Sequence, residues 1–232
     1  MNNIIKSEIK RKTDNEKKAR QMVCDAGRKL LERGLVEGTW GNCSLRIDDT
    51  KMAITPSGRR YEDLTRDDIV IMDYHTLAVT GNIRPSSEKK LHAQIYKTRK
   101  EIQAVIHTHQ PNASTVAAAR RNLPPILDDQ AQILGPSVRC ADYALPNTKK
   151  IVRTTVKALK GRFAALMANH GAITIGRTME EAVVAALVLE KACKAFIEAE
   201  FLGGAKPISN LEAWVMHKVY LFMYSKKKEA NK

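Results

Sequence analysis

Aromatic residues are scarce in this chain, 5% of 232 residues, which leaves little surface on which nucleobases could stack. No helix-turn-helix or RNA-binding motif is present either, so a nucleic-acid partner is not expected. Cysteines number only four, Cys24, Cys43, Cys140 and Cys193, with no Cys-x-x-Cys spacing. They read as reduced thiols, not as disulfides or a zinc cluster. No apolar stretch approaches the roughly 18 residues of a membrane span, and Met1 to Arg20 carries no apolar signal-peptide core. A membrane partner is therefore not expected, and the cytoplasm is the expected compartment. Walker and dinucleotide fingerprints are missing too, because Gly38-x-x-Gly41 feeds a β-like run and not a helix.

What the chain has in excess is positive charge, 39 Lys and Arg against 25 Asp and Glu, a formal net charge of +14. Much of it is peripheral: Lys6, Lys10, Arg11, Lys12, Lys17, Lys18 and Arg20 crowd the start, and Lys226, Lys227, Lys228 and Lys232 the end. Charge placed in this way gives solubility and mild steering of an anionic substrate. A chain of this length, 44% hydrophobic, has ample material for a core. The expected organisation is a basic N-terminal extension over 1–17, one domain over 18–225 and a basic tail over 226–232.

Apolar Ala19, Met22, Val23, Ala26, Leu30 and Leu31 recur at helical spacing, and Gly34 supplies a stop. Short β-like runs follow at Cys43 to Ile47, Met52 to Thr55, Ile69 to Met72 and Leu77 to Val79, parted by turn residues. Their spacing suggests an antiparallel meander. Further on, Pro85 to Arg99 reads as helix, Gln103 to Thr108 as strand, Asn112 to Arg120 as helix, Ser137 to Ala141 as strand and Asn147 to Leu159 as helix. Two apolar runs, Phe163 to Met167 and Ala172 to Ile175, flank His170. Thr178 with Glu181, and Ser209 with Glu212, carry the capping-box spacing for two last helices. The pattern is α/β, a mostly antiparallel sheet interleaved with helices.

The most chemically pointed feature is His107-Thr108-His109 at the end of the apolar run Ala104-Val105-Ile106. A strand would put both imidazoles on one face, roughly 7 Å apart along the chain. His170, in Asn169-His170-Gly171, stands where a Gly-assisted strand-to-strand turn presents a ring at a rim. Glu88 follows Pro85-Ser86-Ser87, a helix-start pattern whose first turn favours a carboxylate. Three nitrogens and one carboxylate oxygen suit zinc, with manganese, iron or cobalt as alternatives. His92, four residues after Glu88 on the same helix face, could also reach an ion. Gly38 to Asn42, Thr55 to Gly58 and Ser86-Ser87 are loops of the kind that bind anions, each a weak signal alone.

Taken in order, Gly41 to Ser44, Ile54 to Gly58, Pro85 to Glu88 with His92, Ala104 to His109, and Asn169 to Gly171 resemble the class II aldolase/adducin family, over about residues 18 to 202. The resemblance implies a three-layer α/β/α fold with a central, mostly antiparallel sheet. It also implies a C4 homotetramer with active sites between subunits, a zinc ion and a small phosphorylated sugar as substrate. By the same matching, His107, His109 and His170 are zinc ligands, Glu88 is both ligand and acid/base, and His92 is left to packing or support. Gly41, Asn42, Ser57, Gly58, Ser86 and Ser87 match the cradle for the substrate phosphate.

A catalytic zinc needs an open position, so substrate oxygens are expected to displace Glu88, freeing a base beside the reacting carbon. The chain departs from the family's aldolases after Pro124-Pro125, where it reads Ile126-Leu127-Asp128-Asp129 in place of a tyrosine. An acidic residue there is closer to the family's epimerases, which pair an Asp with a C-terminal Tyr. Asp129 or Asp128, with Tyr220 or Tyr224, is the matching candidate pair. The leading expectation is retro-aldol cleavage of a ketose 1-phosphate to dihydroxyacetone phosphate and an aldehyde through an enediolate. The alternatives are a sugar-phosphate 4-epimerase and a 3-oxo acid phosphate decarboxylase. A non-enzymatic binding module of the adducin type has no use for three His and a Glu at these places.

Overall fold

A computed structural model describes the backbone of residues 2–230 and the side chains of Ser7 and of residues 10–223. In chain order the elements are α1 (Asn2–Glu32), β1 (Asn42–Arg46), β2 (Lys51–Ile54), β3 (Val70–Asp73), β4 (Val79–Thr80), α2 (Lys89–Thr98) and β5 (Ala104–Thr108). There follow α3 (Pro111–Ala118), α4 (Asp128–Leu134), β6 (Arg139–Ala141), α5 (Lys149–Ala158), β7 (Ala164–Met167), β8 (Gly171–Gly176), α6 (Met179–Phe201) and α7 (Asn210–Ala230). Hydrogen bonding orders the strands β4-β3-β2-β1-β5-β8-β7-β6. The fold is α/β with a mostly antiparallel sheet; β6 with β7 is a parallel pair.

Two compact units divide the chain. The first comprises Met1–His107 and Ile175–Val183. Here the expected meander forms: β1 pairs with β2, β2 with β3 and β3 with β4, all antiparallel, and β5 adds to the other edge of β1 with Asn42 opposite His107. Helix α1 packs on this meander through buried Ala19, Val23, Ala26 and Leu30, one stripe at helical spacing. Gly34 ends the helix with φ +66°. Its N–H donates to the Leu31 carbonyl and that of Leu35 to the Leu30 carbonyl, a Schellman cap that needs the left-handed residue. The helix also begins far earlier than Ala19, since nothing from Asn2 to Ala26 is a Pro or Gly that would break it. Strand β4 forms two residues later than its apolar run suggests, because Leu77 takes φ +66° in the preceding turn.

The second unit comprises Thr108–Thr174 and Val184–Lys232. Its core gathers Val116, Leu134, Val138, Leu166, Leu189 and Phe196 from α3, α4, β7, α6 and the segment before β6. Burying a large aliphatic or aromatic side chain contributes about 1.5–3 kcal/mol, so this cluster is what holds α3 and α6 together. Sequence periodicity did not reveal α4; a helix of seven residues is too short to display it. Among the described residues no helix is long and apolar enough to cross a membrane.

Candidate metal centre

Strand β5 ends at Thr108, so His107 lies inside the strand and His109 one residue beyond it, followed by Gln110 as N-cap and Pro111 as the first residue of α3. Pro at that place has no N–H to leave unsatisfied, and the turn out of β5 is correspondingly short. No side chain of α3 caps its own N-terminus. Glu190 of α6 does so instead: its carboxylate accepts from the Asn112 N–H at 2.9 Å, Asn112 Nδ2 at 2.6 Å and the Ala113 N–H at 3.0 Å. The segment carrying His109 is thus anchored immediately after the imidazole.

His170 stands in the turn from β7 to β8, where its N–H donates to the Met167 carbonyl at 2.9 Å. Gly171 was expected to make that turn possible, but it begins β8, and the left-handed residue is Asn169 with φ +56°. Asn tolerates this conformation better than other residues with a side chain. The turn is held further by Asn169 N–H on the Ala117 carbonyl and by Arg120 Nε on Asn169 Oδ1 at 2.9 Å. His109 and His170 meet edge to face with ring centroids 5.0 Å apart. His107, His109 and His170 each offer a ring nitrogen, and these atoms all lie within 4.8 Å of one another. Three imidazole nitrogens so placed fit a divalent metal ion.

Glu88 is the N-cap of α2, not a residue of its first turn as expected, and its side chain does not cap the helix. It is turned the other way: Oε2 lies 3.0 Å from His107 Nε2 and accepts from Asn42 Nδ2 at 2.8 Å. His92, fully buried, spends both ring nitrogens on protein partners, Nε2 at 2.5 Å from Asn42 Oδ1 and Nδ1 at 2.7 Å from Ser44 Oγ. Burial drives its pKa from 6.5 down to about 3, and nearby His107 adds to the fall against the opposing pull of Glu88. The ring is therefore neutral at physiological pH.

The candidate phosphate cradle is built from two loops laid against each other. Pro56 and Pro85 form a bridge, the Ser57 N–H donates to the Arg84 carbonyl at 2.9 Å and the Ser86 N–H to the Thr55 carbonyl at 3.0 Å. Ser57, Gly58 and Ser87 are exposed, while Ser86 is buried and its Oγ accepts from the Glu88 N–H at 3.2 Å. That bond ties the cradle to Glu88. Gly41 has φ +91°, and a Cβ on it would stand 2.8 Å from Val36 Cγ1 and 2.9 Å from the His107 carbonyl oxygen. Only glycine lets this loop run so close to the strand that bears His107.

Asp128 and Asp129 are the first two residues of α4, and a carboxylate is favoured at that end of a helix. Asp129 is half-buried and paired with Lys191 of α6; Asp128 is exposed. Tyr220 is half-buried on α7, which packs against α4; Tyr224 lies outside the residues whose side chains are described. Sequence reading overlooked Ser44 and Tyr96, joined at 2.8 Å behind His92, and Arg46 behind them. Arg46 donates to Tyr74 Oη at 2.7 Å and to the carbonyls of Ile102, Tyr96 and Arg99. Their signal was a polar alternation, Asn42, Ser44, Arg46, within an otherwise apolar strand.

The profile of the Class II Aldolase and Adducin N-terminal domain family matches residues 21–197. Among curated proteins, a 5-deoxy-D-ribulose 1-phosphate aldolase of Bacillus thuringiensis is 32% identical over 82% of this chain and 89% of its own. An L-fuculose phosphate aldolase of Escherichia coli is 36% identical over 73% of this chain and 78% of its own. Among solved structures, an L-fuculose 1-phosphate aldolase superposes with a TM-score of 0.83 at 33% identity, covering 88% of this chain and 96% of that one.

Proposed function

The chain belongs to the Class II Aldolase and Adducin N-terminal domain family and is a class II aldolase acting on sugar phosphates; within that class, we propose a zinc-dependent enzyme cleaving a ketose 1-phosphate to dihydroxyacetone phosphate and an aldehyde. The observation that carries the reading is the convergence of the His107, His109 and His170 nitrogens within 4.8 Å, with the Glu88 carboxylate 3.0 Å from the first of them. When bound, the ion supplies Lewis-acid polarisation of the substrate's carbonyl and stabilises developing negative charge.

The protein's own residues do the rest. Glu88 is proposed as the fourth, displaceable ligand and as the group that carries a proton to and from the carbon next to the carbonyl. Asn42 holds Oε2 of that carboxylate at 2.8 Å, which fixes the orientation of the base. Ser57, Gly58, Ser86 and Ser87, with the close-running backbone at Gly41 and the amide of Asn42, are proposed to take the substrate phosphate. Because the Ser86 hydroxyl also receives the Glu88 N–H, seating a phosphate there orients the base. Asp129, Tyr220 and Tyr224 are proposed to serve the aldehyde end.

We propose further that 18–225 acts as one catalytic domain, since the family match runs through both compact units. The basic segments 1–17 and 226–232 lie outside it. A cytoplasmic homotetramer with intersubunit sites is the assembly we propose. In its support, α7 leaves Leu211, Trp214, Val215, Val219 and Phe222 exposed, an apolar face of the kind subunit contacts cover. Cleavage is preferred to 4-epimerisation or decarboxylation because the curated relatives named above are aldolases.

Metal analysis and turnover test the reading together. Purified protein is expected to retain one zinc per chain, the His107→Ala variant to lose it, and a panel of ketose 1-phosphates to yield dihydroxyacetone phosphate in a coupled assay. Wild-type protein that holds no metal would sink the proposal, and turnover without triose phosphate release would replace cleavage by epimerisation.

A further inference from the structure

We infer that His92 is a positioning residue: it fixes the amide of Asn42 so that the nitrogen, and not the oxygen, faces Glu88. The inference rests on the proposed role of Glu88 as a metal ligand.

The chain of constraints begins at the carboxylate. An ionised carboxylate only accepts hydrogen bonds, so the Asn42 atom 2.8 Å from Glu88 Oε2 must be the donor, Nδ2. The Asn42 oxygen is then left facing His92 Nε2 at 2.5 Å, and that nitrogen must carry the ring proton. A neutral ring protonated at Nε2 accepts at Nδ1, so the Ser44 hydroxyl at 2.7 Å donates to it. The Ser44 oxygen in turn accepts from the Tyr96 hydroxyl at 2.8 Å. Every step runs in one direction, from Tyr96 through Ser44, His92 and Asn42 to Glu88. Ser44, His92 and Asn42 are buried, so water is not at hand to substitute for a lost partner, and a buried polar group left unpaired is costly.

Without the proton on His92 Nε2, the Asn42 oxygen loses its donor and only the contact of Nδ2 with the carboxylate still distinguishes the two ends of the amide. An amide turned end for end would place its oxygen against the carboxylate, repelling Glu88 from His107. His92 therefore acts on the proposed centre through two intermediaries, touching neither substrate nor ion. Partners of this kind typically change metal affinity or activity by about 10–100-fold when removed.

The test uses the full chain, with two readouts: NMR of the metal-free protein and binding of Zn2+ alone, the second applied to three variants. Long-range proton–nitrogen NMR of the metal-free protein is expected to find His92 neutral with its proton on Nε2; a proton on Nδ1 overturns the inference. In competition with a chromophoric chelator, His92→Phe is expected to weaken zinc binding about tenfold or more. His92→Gln, whose amide nitrogen can stand in for Nε2 as donor to Asn42, is expected to restore most of the loss. Leu30→Ala on α1 serves as control, since it lowers stability without touching the chain of bonds and is expected to leave zinc affinity unchanged. Wild-type affinity in folded His92→Phe overturns the inference, and so does an equal loss in Leu30→Ala. Wild-type protein that binds no zinc fails the proposed function instead, and the NMR result still decides the position of the His92 proton.

Discussion

Replacing Gly41 by alanine tests whether the loop before β1 is held at the strand of His107 by space alone. Two costs add. At φ +91° an L-residue is strained by about 1–3 kcal/mol. The new methyl would also meet Val36 Cγ1 at 2.8 Å and the His107 carbonyl oxygen at 2.9 Å. Val36 can shift, but the carbonyl belongs to the backbone of β5, so overpacking adds about 1–3 kcal/mol. Gly38, three residues earlier in the same loop, provides the comparison. It also has positive φ, +55°, yet a Cβ there meets nothing within 4 Å, so Gly38→Ala costs only the left-handed penalty of about 1–2 kcal/mol.

The measurement is the urea midpoint of the two variants beside wild type. With a slope of about 1–3 kcal/mol per molar urea, a gap of about 2 kcal/mol between them places Gly41→Ala roughly 1 M lower. Displacement of the carbonyl moves the residue that offers Nε2 toward Glu88, so zinc affinity is expected to fall in Gly41→Ala and to hold in Gly38→Ala. Coincident unfolding curves would refute the close-approach argument.

Glu181→Ala removes a carboxylate that is 1% exposed and takes the Arg177 N–H at 2.5 Å and its guanidinium at 2.6 Å; loss of these charge-assisted bonds should lower stability by about 1.5–3 kcal/mol in chemical denaturation. Glu190→Ala removes the cap of α3, expected to cost about 1–3 kcal/mol and to weaken zinc binding through His109, read by the same chelator competition; unchanged affinity would mean that His109 is held without α3. Acid should destabilise the protein through Asp48: burial pushes its pKa up, but the N–H groups of Thr50 and Lys51 and the Thr50 hydroxyl outweigh burial and hold it below the usual value. A depressed carboxylate stabilises above its unfolded pKa of about 3.9 and loses that contribution as pH falls through the folded value, so Asp48→Asn should flatten the acid limb of a stability–pH profile.

Much of the fold was legible because its signals are local. The runs at β1, β2, β3 and β5 are short and bounded by turn residues, and the stripe of α1 ends at a glycine in a Schellman cap. The histidines were legible for the same reason, His107 lying in β5, His109 one residue beyond its end and His170 in a turn between two apolar runs. Other features depend on distant partners. Nothing near Asp128 signals that α4 will form against α7, and nothing near Pro111 signals that Glu190, far along the chain, will cap α3. Asn169 gave a weaker clue than the neighbouring glycine, yet it takes the left-handed conformation because Arg120 and the Ala117 carbonyl hold it there.

The support behind Glu88 belongs to a different class, since it was present in the sequence as two periods that had to be laid side by side. Along β1 the polar residues Asn42, Ser44 and Arg46 recur every second position, a spacing of roughly 6.5–7 Å. On α2 and its N-cap, Glu88, His92 and Tyr96 recur every fourth, roughly 6 Å. The two repeats are nearly commensurate, so the rows stay in step across several residues. The bonds follow accordingly: Asn42 reaches Glu88 and His92, Ser44 reaches His92 and Tyr96, and Arg46 reaches the carbonyls of Tyr96 and Arg99. Each strand residue thus spans one turn of the helix, and each step along the strand advances the contact by one turn. Such a ladder tolerates no apolar member, because its neighbours would be left unpaired in a buried place. Cys43 and Leu45, on the intervening positions, are under no such demand and fill the core. Arg46 can only donate, and meets carbonyls; the bonds from Tyr96 through Ser44 and His92 to Asn42 take their direction from Glu88, the group at the other end, which can only accept.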